Sequence, residues 1–162
     1  MVTKDDVKDI VILKHLSDEM LDELMPHLTL HHFSEREIVF RGGQTAIMLC
    51  LLKKGKILLE KRISDKVTLS MGGMPEGFSF GWSSILGEEE VYSLDAVCAE
   101  PCEVLMIQGD ILRKMFDDNP LMGYRFYQRL IRVVKKRLDH RTEQFLSVIR
   151  KHPDIELMFD ES

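Results

Sequence analysis

The spacing of the apolar residues changes twice along this chain, and that change limits the folds it can adopt. Between residues 5 and 28 the apolar residues recur every three or four positions, which is typical of amphipathic helices. From residue 29 to 108 they form short runs rich in branched side chains, separated by turns such as RGGQ, KKGK and GGMPEG. Helical spacing returns from residue 110 to about 151. We therefore predict an α+β fold, in which an antiparallel β jelly roll is flanked by N-terminal helices and a long C-terminal helix.

Capping signals refine the boundaries of these helices. Ser17 precedes the second group of helically spaced apolar residues, so it is predicted to cap the start of a second short helix. After the roll, residues 110–117 are predicted to form a short helix. Asn119 and Pro120 are predicted to begin the last helix, because proline is favoured at the first helical position.

Length and composition indicate a cytoplasmic protein. The 162 residues suit one domain, 1–162, which ends in a short acidic tail at 152–162. The net charge of -5 disfavours general binding to DNA, because phosphate contacts need a basic surface. No apolar run is long enough to span a membrane, and the start MVTKDDVKDI lacks the apolar core of a secretory signal. The three cysteines lie among apolar residues, as reduced thiols of a cytoplasmic protein would.

Signatures of catalysis and of metal binding are weak. The sequence has no GxSxG, P-loop or HExxH motif, so we expect no enzymatic activity. His31 and His32 are neighbours in a predicted strand and should point to opposite faces. Cys98 and Cys102 could face each other across a turn, but two thiols alone are a weak zinc signal. The alternative is a small cupin-like metal-binding protein or enzyme, which would need several inward-facing histidines on its strands.

The stretch GFSFGWSSIL is predicted to form a glycine-bounded turn followed by a short helix, and an anionic ligand is one group that such a turn could bind. Binding an anion needs backbone N–H groups at a turn, preferably at the start of a helix. Gly77 and Gly81 would permit this close approach because glycine lacks a side chain. Trp82, the only tryptophan of the chain, follows the second glycine.

Three stretches together resemble the cyclic nucleotide-binding domain family. FRGGQTAIMLCLLKKGKI resembles its second to fourth strands, PEGFSFGW its phosphate-binding cassette and YSLDAVCAEPCEVLMI its closing strands. The family includes the sensor domain of catabolite activator protein. The resemblance implies a stand-alone sensor or regulatory domain that binds a cyclic nucleotide or a related small molecule and transmits the event through its C-terminal helix. The sequence GWS at residues 81–83 resembles that of a divergent bacterial subgroup of the family, in which Trp replaces the ribose-binding acid.

The resemblance also implies which residues bind the ligand, and two of the usual ones are replaced. Typical members have a glutamate after the second glycine, where this chain has Trp82, and later an arginine before a Ser or Thr, where it has Tyr92 before Ser93. No lysine or arginine occurs between Lys66 and Arg113. We therefore expect weak binding of cyclic AMP and cyclic GMP. The residues expected around the ligand are Gly77, Phe80, Gly81, Trp82, Ser83, Ser84, Tyr92 and Ser93.

The last helix is predicted to be a contact surface. At 1.5 Å per residue, a helix of about thirty residues is longer than the roll that it would cover, so its distal half needs another partner. In the family the equivalent helix pairs with its twin, so we expect a homodimer. Its other face is basic and is compatible with an acidic protein partner. The residues expected at the dimer interface are Tyr127, Leu130, Val134 and Leu138.

Overall fold

The computed structural model describes residues 1–153, and its central feature is a pair of four-stranded antiparallel sheets. One sheet has the strand order β1-β8-β3-β6, and the other has the order β2-β7-β4-β5. The predicted α+β jelly roll is confirmed. The strands are β1 (Thr29–Phe33), β2 (Ile38–Phe40), β3 (Met48–Lys54), β4 (Ile57–Arg62), β5 (Thr68–Met74), β6 (Ser79–Phe80), β7 (Asp95–Cys98) and β8 (Cys102–Gln108).

Short helices precede the roll and two longer ones follow it. The helices are α1 (Lys4–Val7), α2 (Asp18–Leu24), α3 (Gly109–Asp118) and α4 (Pro120–Arg150), with 3₁₀ turns at Val11–Leu13, Met25–His27 and Trp82–Ile85. Ser17 caps α2 as predicted, since its hydroxyl accepts a hydrogen bond from the Met20 N–H at 3.3 Å. Asn119 caps α4, since its side-chain Oδ1 accepts a hydrogen bond from the Met122 N–H at 3.2 Å. Pro120 is the first residue of that helix. Residues 154–162, most of the predicted acidic tail, lie outside the described residues.

The centre of the roll is built from β3 and β8, which pair along most of their length. Alternate residues of a strand point to opposite faces of the sheet. Cys50 and Leu52 of β3 belong to the core between the sheets, and Leu49 and Leu51, which point the other way, are buried as well. Both faces of this strand are therefore covered, which explains why its sequence is an unbroken apolar run rather than an alternating one.

An ion-pair cluster fastens the N-terminal segment to the roll. The Lys53 ammonium lies 3.0 Å from the Asp6 carboxylate and 2.8 Å from that of Glu103. The pKa of Asp6 is lowered to about 2, first because the Thr3 backbone N–H donates to its carboxylate and then because Lys53 does. This attachment fixes the segment that contacts the glycine-rich turn.

By compactness the chain divides into two units, with the boundary inside α4. Residues Met1–Phe126 contain the roll and form one unit, and the second unit begins at Tyr127. In the second unit, α4 continues as regular helix to Arg150. No helix in the described part of the chain has the length and apolar composition needed to cross a bilayer.

Candidate functional site

The glycine-rich turn predicted as the ligand site runs from Gly77 to Ile85, and we call it the cassette turn. Gly77 and Gly81 have positive φ angles of 84° and 76°, a backbone conformation that residues with a Cβ rarely adopt. Gly81 is followed directly by the 3₁₀ turn Trp82–Ile85. The local geometry expected of a cassette is therefore present: a left-handed glycine at the start of a short helical turn.

Gly77, however, approaches another part of the protein closely. Its N–H donates to the Leu52 carbonyl at 2.8 Å, and its carbonyl accepts from the Val11 N–H at 2.8 Å. A Cβ at this position would lie 2.7 Å from the Asp9 carbonyl oxygen. Glycine is thus required here because the N-terminal segment packs against the turn.

Gly81 packs against two aromatic rings of the roll interior. A Cβ on Gly81 would lie 2.9 Å from the Met48 carbonyl oxygen and 3.2 Å from a ring carbon of both Phe40 and Tyr92. The Phe40 and Tyr92 rings are stacked, with centroids 3.7 Å apart and an interplanar angle of 11°. The Phe80 ring is 5.7 Å from Phe40. We call Phe40, Phe80 and Tyr92 the aromatic stack; it occupies the interior of the roll beside the cassette turn.

Tyr92 is held in the stack by its hydroxyl as well as its ring. The Tyr92 O–H donates to the Met48 carbonyl at 2.9 Å and accepts from the Met48 N–H at 2.9 Å. Burial raises the pKa of the phenol above its ordinary value. The residue aligned with the usual arginine is therefore a neutral core residue. Ser93 is exposed.

The polar side chains of Ser79, Trp82 and Ser84 form hydrogen bonds within the cassette turn. The Trp82 Nε1–H donates to the Ser79 hydroxyl at 2.9 Å. The Ser84 hydroxyl donates to the Gly81 carbonyl at 2.8 Å, and Ser84 is buried. Ser83 is half-buried within the same turn. Of the residues predicted around the ligand, Gly81 lies beside Phe80 and Tyr92, whereas Gly77 packs against the Asp9 carbonyl and Ser93 is exposed.

The first residues of α3 contact the end of the cassette turn, and the sequence analysis did not single out the two residues that make these contacts. The Arg113 guanidinium donates from Nη1 to the Ser84 carbonyl at 2.8 Å and to the Gly87 carbonyl at 3.4 Å. A Cβ on Gly109 would overlap the Ser84 carbonyl oxygen, and the Gly109 N–H donates to the Ile47 carbonyl at 2.9 Å. The glycine at the end of β8 was the one available signal, since a glycine opening a helix often marks a close approach.

The side chains that could coordinate a metal ion do not form a metal site within residues 1–153. In this part of the chain no group of three His, Cys, Asp or Glu side chains is arranged to hold a metal ion. The three cysteines are buried free thiols. Burial, and then the neighbouring Cys102 thiol, raise the pKa of Cys98 to about 12, so the Cys98 thiol is protonated at neutral pH.

The residues predicted at a dimer interface differ in exposure. Leu138 is 64% exposed, Tyr127 and Val134 are each 38% exposed, but Leu130 is only 6% exposed. Leu130 is therefore buried in the single chain and not available to a second copy. Ile131, Phe145 and Val148 are exposed instead. We call the exposed residues Tyr127, Ile131, Val134, Leu138, Phe145 and Val148 the apolar row; they follow the alternating four- and three-residue spacing of a coiled-coil seam, with Arg141 in the one remaining place.

Comparison with known proteins identifies a family model and solved structures that share this fold. Residues 30–119 match the family model of the cyclic nucleotide-binding domain. A protein from Geobacter metallireducens, described as a candidate cyclic nucleotide-binding protein, is 23% identical; the match covers 85% of this chain and 99% of that one, with a TM-score of 0.74. A cyclic nucleotide-binding domain from Methylobacillus flagellatus is 17% identical, covers 89% and 84%, and has a TM-score of 0.78. Catabolite activator protein from Thermus thermophilus is 20% identical over 83% of this chain and 62% of its own, with a TM-score of 0.67.

The chain has the fold of a cyclic nucleotide-binding domain. It belongs to the cyclic nucleotide-binding domain family, because the family model covers more than half of its length. A search of curated proteins gave no match.

Proposed function

We propose that this protein is a non-enzymatic regulatory domain whose cassette turn no longer recognises a cyclic nucleotide and whose output element is α4. The observation that carries the proposal is the aromatic stack. Phe40 and Tyr92 lie against Gly81, the residue from which the turn would approach a ligand. The family assignment favours this reading over a cupin-like metal protein.

The charges around the cassette turn also disfavour an anionic ligand. The first basic residue after Lys66 is Arg113, and its guanidinium bonds to the carbonyls of Ser84, near the end of the turn, and of Gly87, just beyond it. A charge-assisted hydrogen bond to phosphate contributes about 1.5–3 kcal/mol, and the bond made by the family's usual arginine is lost when Tyr92 stands in its place. The proposed role therefore does not depend on binding a cyclic phosphate.

A continuous set of close contacts supports α4 as the output element. Gly109 and Arg113 join the cassette turn to α3. At the other end of α3, a Cβ on Gly123 of α4 would lie 2.9 Å from Phe116, and the Phe116 and Phe126 rings are 4.9 Å apart. Because these contacts leave little free space, displacement of the cassette turn by a ligand or a partner would displace α3 and the start of α4.

Isothermal titration calorimetry tests the loss of nucleotide recognition. We expect cyclic AMP and cyclic GMP to bind roughly a hundredfold or more weakly than to a site that keeps both the arginine and the glutamate. Trp82 fluorescence gives a second readout, because this tryptophan lies within the cassette turn. A Kd of about micromolar or tighter for either nucleotide would contradict the proposal.

We also propose that two copies associate through the apolar row. The row consists of large apolar side chains that water contacts in the single chain, and such a continuous patch usually marks an interaction site. A coiled-coil seam with a second copy would cover it.

Val134→Glu tests this association. The substitution places an unpaired charge in the seam, so we expect the dimer to dissociate into a folded monomer, measured by light scattering with circular dichroism. The matched control is Val67→Glu, because Val67 is similarly exposed but lies in the turn between β4 and β5. A wild-type protein that is monomeric at micromolar concentration, or a Val67→Glu variant that dissociates equally, would overturn the seam.

A further inference from the structure

A cavity of about 270 Å³ lies where the start of α3 meets the cassette turn, and we call it the junction cavity. Its walls come from the segment before β3, from the end of the cassette turn with the residues after it, and from the end of β8 with the start of α3. All of these belong to the unit Met1–Phe126. Neither Gly81 nor a residue of the aromatic stack lines the cavity, so it is a different space from the interior beside Gly81. Its volume is slightly below the usual range for drug-sized ligands, about 300–1,000 Å³, and therefore suits a smaller molecule.

The Arg113 side chain lines the junction cavity and keeps part of its guanidinium unbonded. Its Nη1 donates to the Ser84 and Gly87 carbonyls, and these two bonds use both hydrogens of that nitrogen. The Nε–H and Nη2–H groups bond to no acceptor in residues 1–153. Nε and Nη2 form the edge through which a guanidinium binds a carboxylate by two parallel hydrogen bonds. Arg113 is half-buried and held in place by the two carbonyls, so it is preorganised to bind a carboxylate.

Two acidic residues, Glu88 and Asp110, line the same cavity without pairing with Arg113. Asp110 precedes Arg113 by three residues on α3, a spacing at which opposite charges often pair. Nevertheless, neither acid forms an ion pair with a residue in the described part of the chain, and Asp110 accepts one hydrogen bond, from the Ile111 N–H at 2.7 Å. A phosphate or sulfate ion would be repelled by the two carboxylates, and a simple cation would be repelled by the guanidinium. The combination favours a molecule that carries both charges.

We propose that the junction cavity binds a small zwitterion, an α-amino acid with an apolar side chain. Its carboxylate bonds to Nε and Nη2 of Arg113, and its ammonium group bonds to the carboxylates of Glu88 and Asp110. Ile47, which lines the cavity and is 58% exposed, offers an apolar contact to the side chain of the ligand. Each charge of the ligand then has a partner, which avoids the cost of removing an unpaired charge from water.

The ligand would strengthen the contact between α3 and the cassette turn. Glu88 lies in the loop that follows this turn, whereas Arg113 and Asp110 belong to α3, so a bound zwitterion bridges the two segments. Because it binds the folded state, it also stabilises the protein. This inference goes beyond the proposed function, since it concerns another cavity and another class of ligand, and it does not depend on the loss of nucleotide recognition.

Thermal denaturation of the full chain is the first test. The probes are L-alanine, L-valine, L-leucine and L-methionine, each at about 10 mM. We expect at least one of them to raise the melting temperature by about 2 °C or more. In isothermal titration calorimetry, the amide of the best probe, which lacks the carboxylate, should bind roughly tenfold more weakly or worse. The same loss is expected for the amine-free acid, which lacks the ammonium group.

Substitution of Arg113 tests the carboxylate contact. Arg113→Lys keeps the positive charge but lacks the planar Nε–Nη2 edge, so we expect it to bind the best probe roughly tenfold more weakly. The matched control is Arg62→Lys, because Arg62 lies at the end of β4, pairs with Asp65 and does not line the cavity. Circular dichroism checks that both variants are folded.

A double substitution tests the ammonium contact. Glu88→Gln with Asp110→Asn should weaken binding of the best probe roughly tenfold and leave the fold intact, because both residues are exposed. The matched control, Glu89→Gln with Asp117→Asn, makes the same change in net charge at exposed residues that do not line the cavity. This pair decides the question if Arg113→Lys fails to fold.

Several results would overturn the zwitterion site. One is a melting temperature that no probe raises, and another is an amide or amine-free acid that binds as tightly as the amino acid itself. Equal binding by the double variant and its control would exclude the acids, and displacement of the amino acid by cyclic AMP would place it at the cassette turn instead. A tight Kd for cyclic AMP without such displacement would contradict the proposed function and leave this inference standing.

Discussion

Gly109→Val is expected to lower the free energy of unfolding by about 3 kcal/mol and to disturb the cassette turn. The reason is steric, because the new Cβ would overlap the carbonyl oxygen of Ser84, and this atom is backbone that cannot rotate away. The Gly109 N–H bond to the Ile47 carbonyl fixes the glycine from the other side. Urea denaturation measures the loss of stability, and the emission of Trp82, in the same turn as Ser84, reports the local change.

Gly87→Ala is the matched control for that substitution. Gly87 has a negative φ, and a Cβ there would meet only the flexible Glu90 side chain, at 3.8 Å. We expect a change within about 0.5 kcal/mol. If Gly109→Val were as stable as Gly87→Ala, α3 would not be packed on the cassette turn, and the proposed route to α4 would lose its first contact.

Phe40→Ala is expected to cost about 3–5 kcal/mol of unfolding free energy, because it removes a buried ring from the aromatic stack and leaves a cavity beside Gly81. The control is Ile63→Ala, which shortens a side chain that is 60% exposed in the turn after β4 and should change stability little. A dry apolar cavity of this kind can bind a small aromatic molecule. Indole should therefore raise the melting temperature of Phe40→Ala and leave that of the wild type unchanged.

Two results would contradict the conclusion that the interior of the wild-type roll is filled beside Gly81. If indole raised the melting temperature of the wild type as much as that of the variant, the site beside Gly81 would already be open. A loss of stability no larger than that of Ile63→Ala would mean that the aromatic stack does not stabilise the roll. Titrating cyclic AMP into the Phe40→Ala variant then separates steric closure from the missing charges, since only closure is relieved by the substitution.

The sequence by itself determined the order and type of the elements. The spacing of apolar residues is a local property of the sequence, so a window of about ten to twenty residues is enough to separate helix from strand. For the same reason the caps at Ser17 and Asn119 were predictable, since each bonds to a backbone N–H three residues away. The absence of lysine and arginine between Lys66 and Arg113 was also readable from the sequence alone.

The tertiary structure decided what the glycine-rich turn contacts. The sequence suggested that Gly77 makes room for a ligand, whereas Gly77 makes room for the Asp9 carbonyl, which is 68 positions earlier in the chain. The stack of Phe40 on Tyr92 and the bond from Arg113 to Ser84 likewise join residues that are far apart in sequence. No local pattern encodes such pairs, because they depend on how the two sheets and α3 come together.

In α4, too, the sequence determined one feature and the tertiary structure another. Helical spacing placed Leu130 in the apolar stripe, but spacing alone could not show whether Leu130 faces outward. The fold buries Leu130 and exposes Ile131. Sequence therefore determined that the helix has an apolar stripe and a basic one, and only the folded chain determined which residues of the apolar stripe are left for a partner, because burial is fixed by how a helix is rotated about its own axis.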